Sequence, residues 1–193
     1  MMKPFYLLLA LTLLFVACRK ENFDANSPKD GQVISLFVDH YITGGDGHYF
    51  LNTDRNVKLN TYVQNFEREL GYTYVIKAKV VRPNQPPQDG PSYWFEYQAT
   101  LNKEKYVGKD TLTLPVFGFV APSDAVFLRK VNGTLLYLST KLIPANDNVK
   151  ATLDSIYNAA PQILDKQPRP NFALKVQYAP NDYSSYIVHS VKY

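Results

Sequence analysis

The chain has 193 residues, a formal net charge of +4 and 46% apolar residues, enough to bury one ordinary core or two small ones. Lys and Arg cluster no further than pairs such as Arg19-Lys20 and Arg129-Lys130, so the dense basic stripe of a nucleic-acid-binding protein is missing and no nucleic-acid partner is expected. Tyr (15) and Phe (11) are abundant against a single Trp, a composition that suits strands, half-exposed sheet faces and aromatic contact surfaces.

In chain order, Met1-Met2-Lys3, a nearly apolar stretch from Phe5 to Val16 and the small Ala17 have the three parts of a secretory signal. The stretch is short of the ~20 apolar residues that a spanning helix needs. The segment Leu14-Phe15-Val16-Ala17-Cys18 resembles a bacterial lipobox. That resemblance implies removal of residues 1–17 and acylation (palmitate or a similar chain) of Cys18 at its sulfur and new amino terminus. The lipid bilayer is then the first partner, and the outer membrane of the cell envelope, on its periplasmic face or at the cell surface, the expected location. Cys18 is the only cysteine, so the mature body has neither an internal disulfide nor a thiolate metal cluster. Residues 18–32 read as a polar tether with little to bury. Within it, Arg19-Lys20-Glu21 resembles the charged export tag of surface lipoproteins in one Gram-negative phylum; a plain solvated linker is the alternative.

Val33 to Val38 predicts a buried strand, and Asp39 to Gly47 breaks into a glycine turn before a short strand from His48 to Leu51. From Asn56, Leu59, Tyr62, Val63, Phe66 and Leu70 fit one helix face with Gly71 as a stop, although Tyr62, Gln64 and Phe66 also alternate as a strand would. Tyr72 to Arg82 is the clearest strand, and a Pro-rich connection over 83–91 leads to a returning strand from Ser92 to Leu101. In that strand Trp94, Glu96 and Gln98 share one face and Tyr93, Phe95, Tyr97 and Ala99 the other. Thr111 to Leu114 is a short strand, and Val126–Val131 and Thr134–Leu138 flank Asn132-Gly133, a strong hairpin signal. Asn146 or Asp147 caps a helix carrying Val149, Leu153, Ile156 and Tyr157 on its apolar face, with Pro161 ending it. Phe172–Tyr178 and Ser184–Tyr193 are the last strands.

These elements predict an α+β fold, mainly antiparallel β-sheet with one or two short helices. The body divides into units over 33–106 and 107–193, the second a candidate repeat of the first. Phe50-Leu51-Asn52-Thr53 resembles Tyr137-Leu138-Ser139-Thr140, and Tyr74 to Ala78, leading through prolines to Ser92-Tyr93, resembles Phe172 to Val176 leading through Pro180 to Ser185-Tyr186. Chance similarity of strand-turn-strand units is the alternative. Val63 to Tyr74 together with Pro86 to Ser92 also resembles a small uncharacterised domain of bacterial envelope lipoproteins, sometimes found beside META-type domains. That resemblance covers about residues 34–106 and implies a β-rich domain with no catalytic residues to carry over.

Few residues suggest chemistry. His40, Asp46 and His48, with Asp39, could hold a divalent ion from the glycine turn, but the spacing fits no named motif and local turn bonding explains them, so no metal or other cofactor is expected. His189 reads as a half-buried strand residue. Neither a Gly-x-Ser-x-Gly elbow nor a phosphate loop is present. Trp94, Glu96 and Gln98 form the candidate binding surface for a glycan or protein, against the alternative that the strand's aromatics are core and cross-strand pairs. Asp110-Thr111-Leu112 and Asp154-Ser155-Ile156 resemble O-glycosylation triplets. The expected role is that of a membrane-anchored envelope lipoprotein, binding or structural and not an enzyme; a small hydrolase of envelope or glycan substrates is the alternative.

Overall fold

Alternation decides the strands. In β1 (Val33–Val38) Ile34, Leu36 and Val38 are buried, and β5 (Tyr72–Val81) buries Tyr74, Ile76, Ala78 and Val80, each on one face of its strand. The computed structural model describes residues 23–88, 90–120, 123–166 and 168–193; the signal segment, Cys18 and the charged tag lie outside the described residues. Among the described residues strands make up 50% and helix 11%, with antiparallel pairing dominant, so the fold is α+β and mainly β, as expected. No helix among the described residues is long and apolar enough to cross a membrane.

Between β1 and β5 the chain forms β2 (Tyr49–Leu51), β3 (Asp54–Leu59) and β4 (Val63–Gln64), and β6 (Trp94–Lys105) follows β5. The first sheet has the order β3-β2-β1-β5-β6-β4. Flat, its outermost strands would lie about 24 Å apart, at about 4.8 Å per strand gap. Yet only residues 60–62 link β3 to β4, and four residue steps reach at most about 14 Å. The sheet therefore rolls, and β3 passes from one edge to become β4 on the other. The concave face holds a core that includes Ile34, Leu36, Ile76, Val80 and Phe95.

The helix face expected across Leu59 to Leu70 is thus a strand end, a crossing and β4, the alternation that Tyr62, Gln64 and Phe66 had left open. Asn65, at φ 60°, interrupts any helix there, and Phe66 turns into the core, its ring 5.4 Å from those of both Tyr74 and Tyr97. The polar tether also ends earlier than expected. Phe23 packs on Tyr93 and Phe95, Asp30 accepts from the Arg82 backbone N–H at 2.8 Å, and Gly31 N–H donates to the Val80 carbonyl at 2.9 Å.

The second half contains β7 (Leu112–Pro115), β8 (Phe117–Val120), β9 (Ser123–Val126), β10 (Leu128–Val131), β11 (Thr134–Tyr137), β12 (Thr140–Pro144), helix α1 (Asp147–Leu164), β13 (Ala173–Ala179) and β14 (Asp182–Lys192). Its six-stranded sheet runs β10-β11-β12-β14-β13-β7, with β8 and β9 paired separately. Asn132 and Gly133, both at positive φ (49° and 79°), join β10 to β11 as the turn signal predicts. Asn146 caps α1, its Oδ1 accepting from Val149 N–H at 2.9 Å. Pro161 does not end the helix, which continues to Leu164. Pro161 is exposed, so the Tyr157 carbonyl that loses its partner can be solvated, while the added turn buries Ile163. Val149, Leu153, Ile156, Ala160 and Ile163 join Leu142, Leu174, Val176, Tyr186 and Val188 in one core.

A four-stranded arrangement occurs in both halves. In β1-β5-β6-β4 and in β7-β13-β14-β12 the pairings are antiparallel, antiparallel and parallel, in that order. The halves differ in what extends it: β2 and β3 add to the β1 edge of the first, whereas β11 and β10 add to the β12 edge of the second. The Tyr74 and Phe172 landmarks fall on equivalent strands, β5 and β13; the 50–53 and 137–140 landmarks do not.

Candidate functional site

The turn between β1 and β2 brings together Asp39, His40, Asp46 and His48, and all but the His40 ring, whose buried Nδ1 has no hydrogen-bond partner, are held by local bonds. Asp46 Oδ1 accepts from His48 N–H at 2.8 Å, and its other oxygen pairs with Lys58. His48 Nε2 lies 2.8 Å from Thr43 Oγ1. His40, 5% exposed, stacks on Tyr106 with ring centroids 3.6 Å apart, and its Nε2 is 3.6 Å from Asp39 Oδ1. Both imidazoles pack against Tyr41, at 4.9 and 4.3 Å. Among the described residues, no three His, Cys, Asp or Glu side chains converge as metal ligands would.

Burial lowers the pKa of His40 against the pull of Asp39, and that of His48 against Asp46, so both rings are neutral at pH 7. Burial works to raise the Asp46 carboxyl, but the Lys58 bond and the His48 N–H outweigh it and hold it below the usual range. Arg68, which no local pattern flagged, clamps the turn: its guanidinium donates to the carbonyls of Gly47 (2.5 Å), Tyr41 (2.9 Å) and Asp39.

This turn is also where the two halves meet. Tyr178 hydroxyl donates to the His40 carbonyl at 2.7 Å, Tyr137 hydroxyl accepts from Gly44 N–H at 2.8 Å, and Tyr183 hydroxyl donates to the Tyr106 carbonyl. Burial pushes the Tyr178 phenol up to about 12, so it remains a neutral donor. Gly44 (φ 56°) and Gly71 (φ 79°) permit the approach: a Cβ would meet the Phe127 ring at 2.4 Å and the Tyr183 ring at 2.1 Å. A cleft of about 530 Å³ opens beside the junction, lined by Asp39, His40, Thr73, Tyr106, Asp110 and Thr113. Within it Tyr106 hydroxyl donates to Asp110 at 2.7 Å, while the buried His40 Nδ1 has no hydrogen-bond partner.

The second site is the edge where β4 meets β6. Phe95 N–H donates to the Tyr62 carbonyl at 3.0 Å, and Thr61 Oγ1 donates to the Tyr93 carbonyl at 2.9 Å. This pairing sets Tyr62 beside Trp94: the rings are parallel within 6°, with centroids 6.1 Å apart. Tyr62 is 48% exposed and Trp94 half-buried, its indole N–H donating to Gln64 Oε1 at 3.2 Å. A shallow depression of about 510 Å³ adjoins Tyr62, lined by Asp46, Leu59, Asn60, Thr61 and Pro91.

Glu96 shares the outer face with Trp94 and pairs with Lys79 at 2.8 Å. Gln98 does not sit in that row. Ala78 pairs with Tyr97 and Lys77 with Ala99, so Gln98 is the extra residue of a bulge and Ala99 moves to the outer face. Tyr62 was missed as its partner because the helical spacing of 59–70 disguised a strand crossing. His189 is exposed rather than half-buried; it too is the extra residue at a register shift in its ladder, and its Nε2 lies 2.9 Å from Gln177 Oε1.

Compared with family models, with curated proteins and with solved structures, the chain finds no match.

Proposed function

We propose that this chain is an exported envelope protein, attached to the outer membrane through acylated Cys18, whose β-rich body has a non-catalytic binding role. The binding surface is the Tyr62–Trp94 edge. The observation that carries this reading is the pair of parallel rings, one of them 48% exposed, fixed in orientation by the Trp94–Gln64 bond beside a depression lined by both apolar and polar residues. Holding rigid amphipathic rings at the surface lowers the ordering cost of binding, since little side-chain freedom is left to lose. By contrast, Asp46 and His48 bond within the β1–β2 turn and the His40 carbonyl accepts across the junction between halves, which supports a structural role for this turn.

Two measurements test the reading. The wild-type chain is expected to incorporate labelled fatty acid and Cys18→Ser to incorporate none; equal label in both would remove the anchor. Trp94, the only tryptophan, is expected to report binding when fractionated envelope material is titrated in, and Tyr62→Ala to abolish that response. An unchanged response in Tyr62→Ala would place binding elsewhere.

A further inference from the structure

The N-terminal chain reaches one particular end of the rolled first sheet. Phe23 lies against Tyr93 and Phe95, with ring centroids at 6.2 and 5.8 Å, where β6 begins. Tyr93 directly precedes Trp94, and Trp94 stacks on Tyr62. From Cys18 to Phe23 there are five residue steps (23 − 18), which span at most about 18 Å fully extended. A body of roughly 160 residues is about 40 Å across. An acyl chain on Cys18 buried in lipid therefore holds the Phe23 end against the bilayer, and the leash is too short to turn that end away. The Tyr62–Trp94 edge lies on the end so held. Lys29 and Arg82, both exposed, line a further depression together with Asp30 and leave it a net positive charge toward an anionic headgroup layer.

The chemistry of the edge selects among things found at that depth. An acyl chain would want an apolar rim. Here the depression beside Tyr62 sets apolar Leu59 and Pro91 next to polar Asn60 and Thr61, a mixed surface that complements a pyranose: its C–H face lies on the Tyr62 ring while its hydroxyls meet the Asn60 amide. We propose that the Tyr62–Trp94 edge binds the saccharide headgroup of a glycolipid in the same leaflet that holds the Cys18 anchor. This rests on the lipid-anchored binding role proposed above and adds the ligand's chemical class and its source.

The test uses full-length acylated protein in vesicles of phosphatidylethanolamine and phosphatidylglycerol, with and without lipopolysaccharide. Trp94 emission is expected to shift to the blue and become protected from acrylamide only with lipopolysaccharide. Nitroxides deep in the acyl region should leave it unquenched. Tyr62→Ala, at an exposed position, and Asn60→Ala are each expected to weaken the response about tenfold, with circular dichroism confirming an unchanged fold. If the delipidated saccharide alone shifts Trp94 while the vesicle-borne glycolipid does not, the edge binds sugar but faces away from the leaflet, and this proposal is overturned while the binding role stands. Quenching of Trp94 by acyl-chain nitroxides without any need for lipopolysaccharide would make the edge a lipid contact and also overturn it. Silence toward both saccharide sources would remove this proposal, and silence toward all envelope fractions the binding role with it.

Discussion

The two halves solve one problem differently. Each builds the same four-stranded arrangement, whose apolar face must be covered. The second half lays α1 across its sheet, with Leu153 and Ile163 reaching the core. The first half has only the segment from Asn65 to Gly71 where the second has its helix, and it covers the face by rolling, with β3 crossing to the far edge as β4 and Phe23 closing over Phe95. The roll requires the chain to cross between the sheet's two edges, and that crossing delivers Tyr62 to the start of β4, where pairing with β6 sets it beside Trp94. A helix-covered sheet has no such seam. The difference in cover thus creates the candidate binding edge in one half only.

The comparison breaks most sharply in the cores. Phe95→Ala in the rolled half, where the ring is fully buried, is expected to cost about 3–5 kcal/mol, and Leu153→Ala in the helical half about 2–5 kcal/mol. Urea unfolding followed by both Trp94 emission and circular dichroism reads them. Because tyrosines of one half bond to the backbone of the other, the two probes should stay coincident in each variant. Separate transitions would show that the junction does not couple the halves.

Arg68→Met tests the turn of the first half on which that junction rests. It removes three donated bonds from the β1–β2 turn and is expected to cost about 3 kcal/mol, since bonds to a charged donor contribute more than neutral ones. Differential scanning calorimetry would show it, and a change within error would mean that the turn holds without its clamp.

On the helical side alone, Asn146→Ala removes the cap of α1 and should cost about 1 kcal/mol. Hydrogen exchange should rise in the first turn of α1 and stay unchanged in β1 and β5. An equal rise in the first sheet would mean that the helix supports both halves.

The smallest expected effect is on acid sensitivity. His40 and His48 have folded pKa values depressed by burial, so the unfolded chain binds their protons first. Stability is full above the unfolded histidine value, near 6.5, and falls as pH drops below it toward the folded values. Asp39, Asp46 and Asp110 oppose the shift, while Arg68 and Lys58 reinforce it. Replacing both histidines by Gln should flatten the urea midpoint between pH 7.5 and pH 5. A wild-type midpoint that already does not move across that range would show that burial leaves these rings unperturbed.

The sequence by itself determined what short-range periodicity can carry. The period-two runs of β1 and β5 are read at their observed bounds or within a residue, Asn132-Gly133 marks its hairpin, and Asn146 marks the start of α1. In each case the residues that decide the element are its own neighbours. The same local reading misplaced Gln98, because a bulge adds one residue to one strand and moves the side chains after it across the sheet, here until a second bulge at Leu101 restores the alternation. It also ended α1 at Pro161, because the burial that carries the helix on to Leu164 comes from another element. Only the tertiary structure decided the rolling of the first sheet, the pairing of Tyr62 with Trp94 and the work of the tyrosines. Tyr137 reaches Gly44 across 93 residues and Tyr178 reaches His40 across 138. Such contacts follow from which sheet faces meet in space, and no spacing along the chain records that.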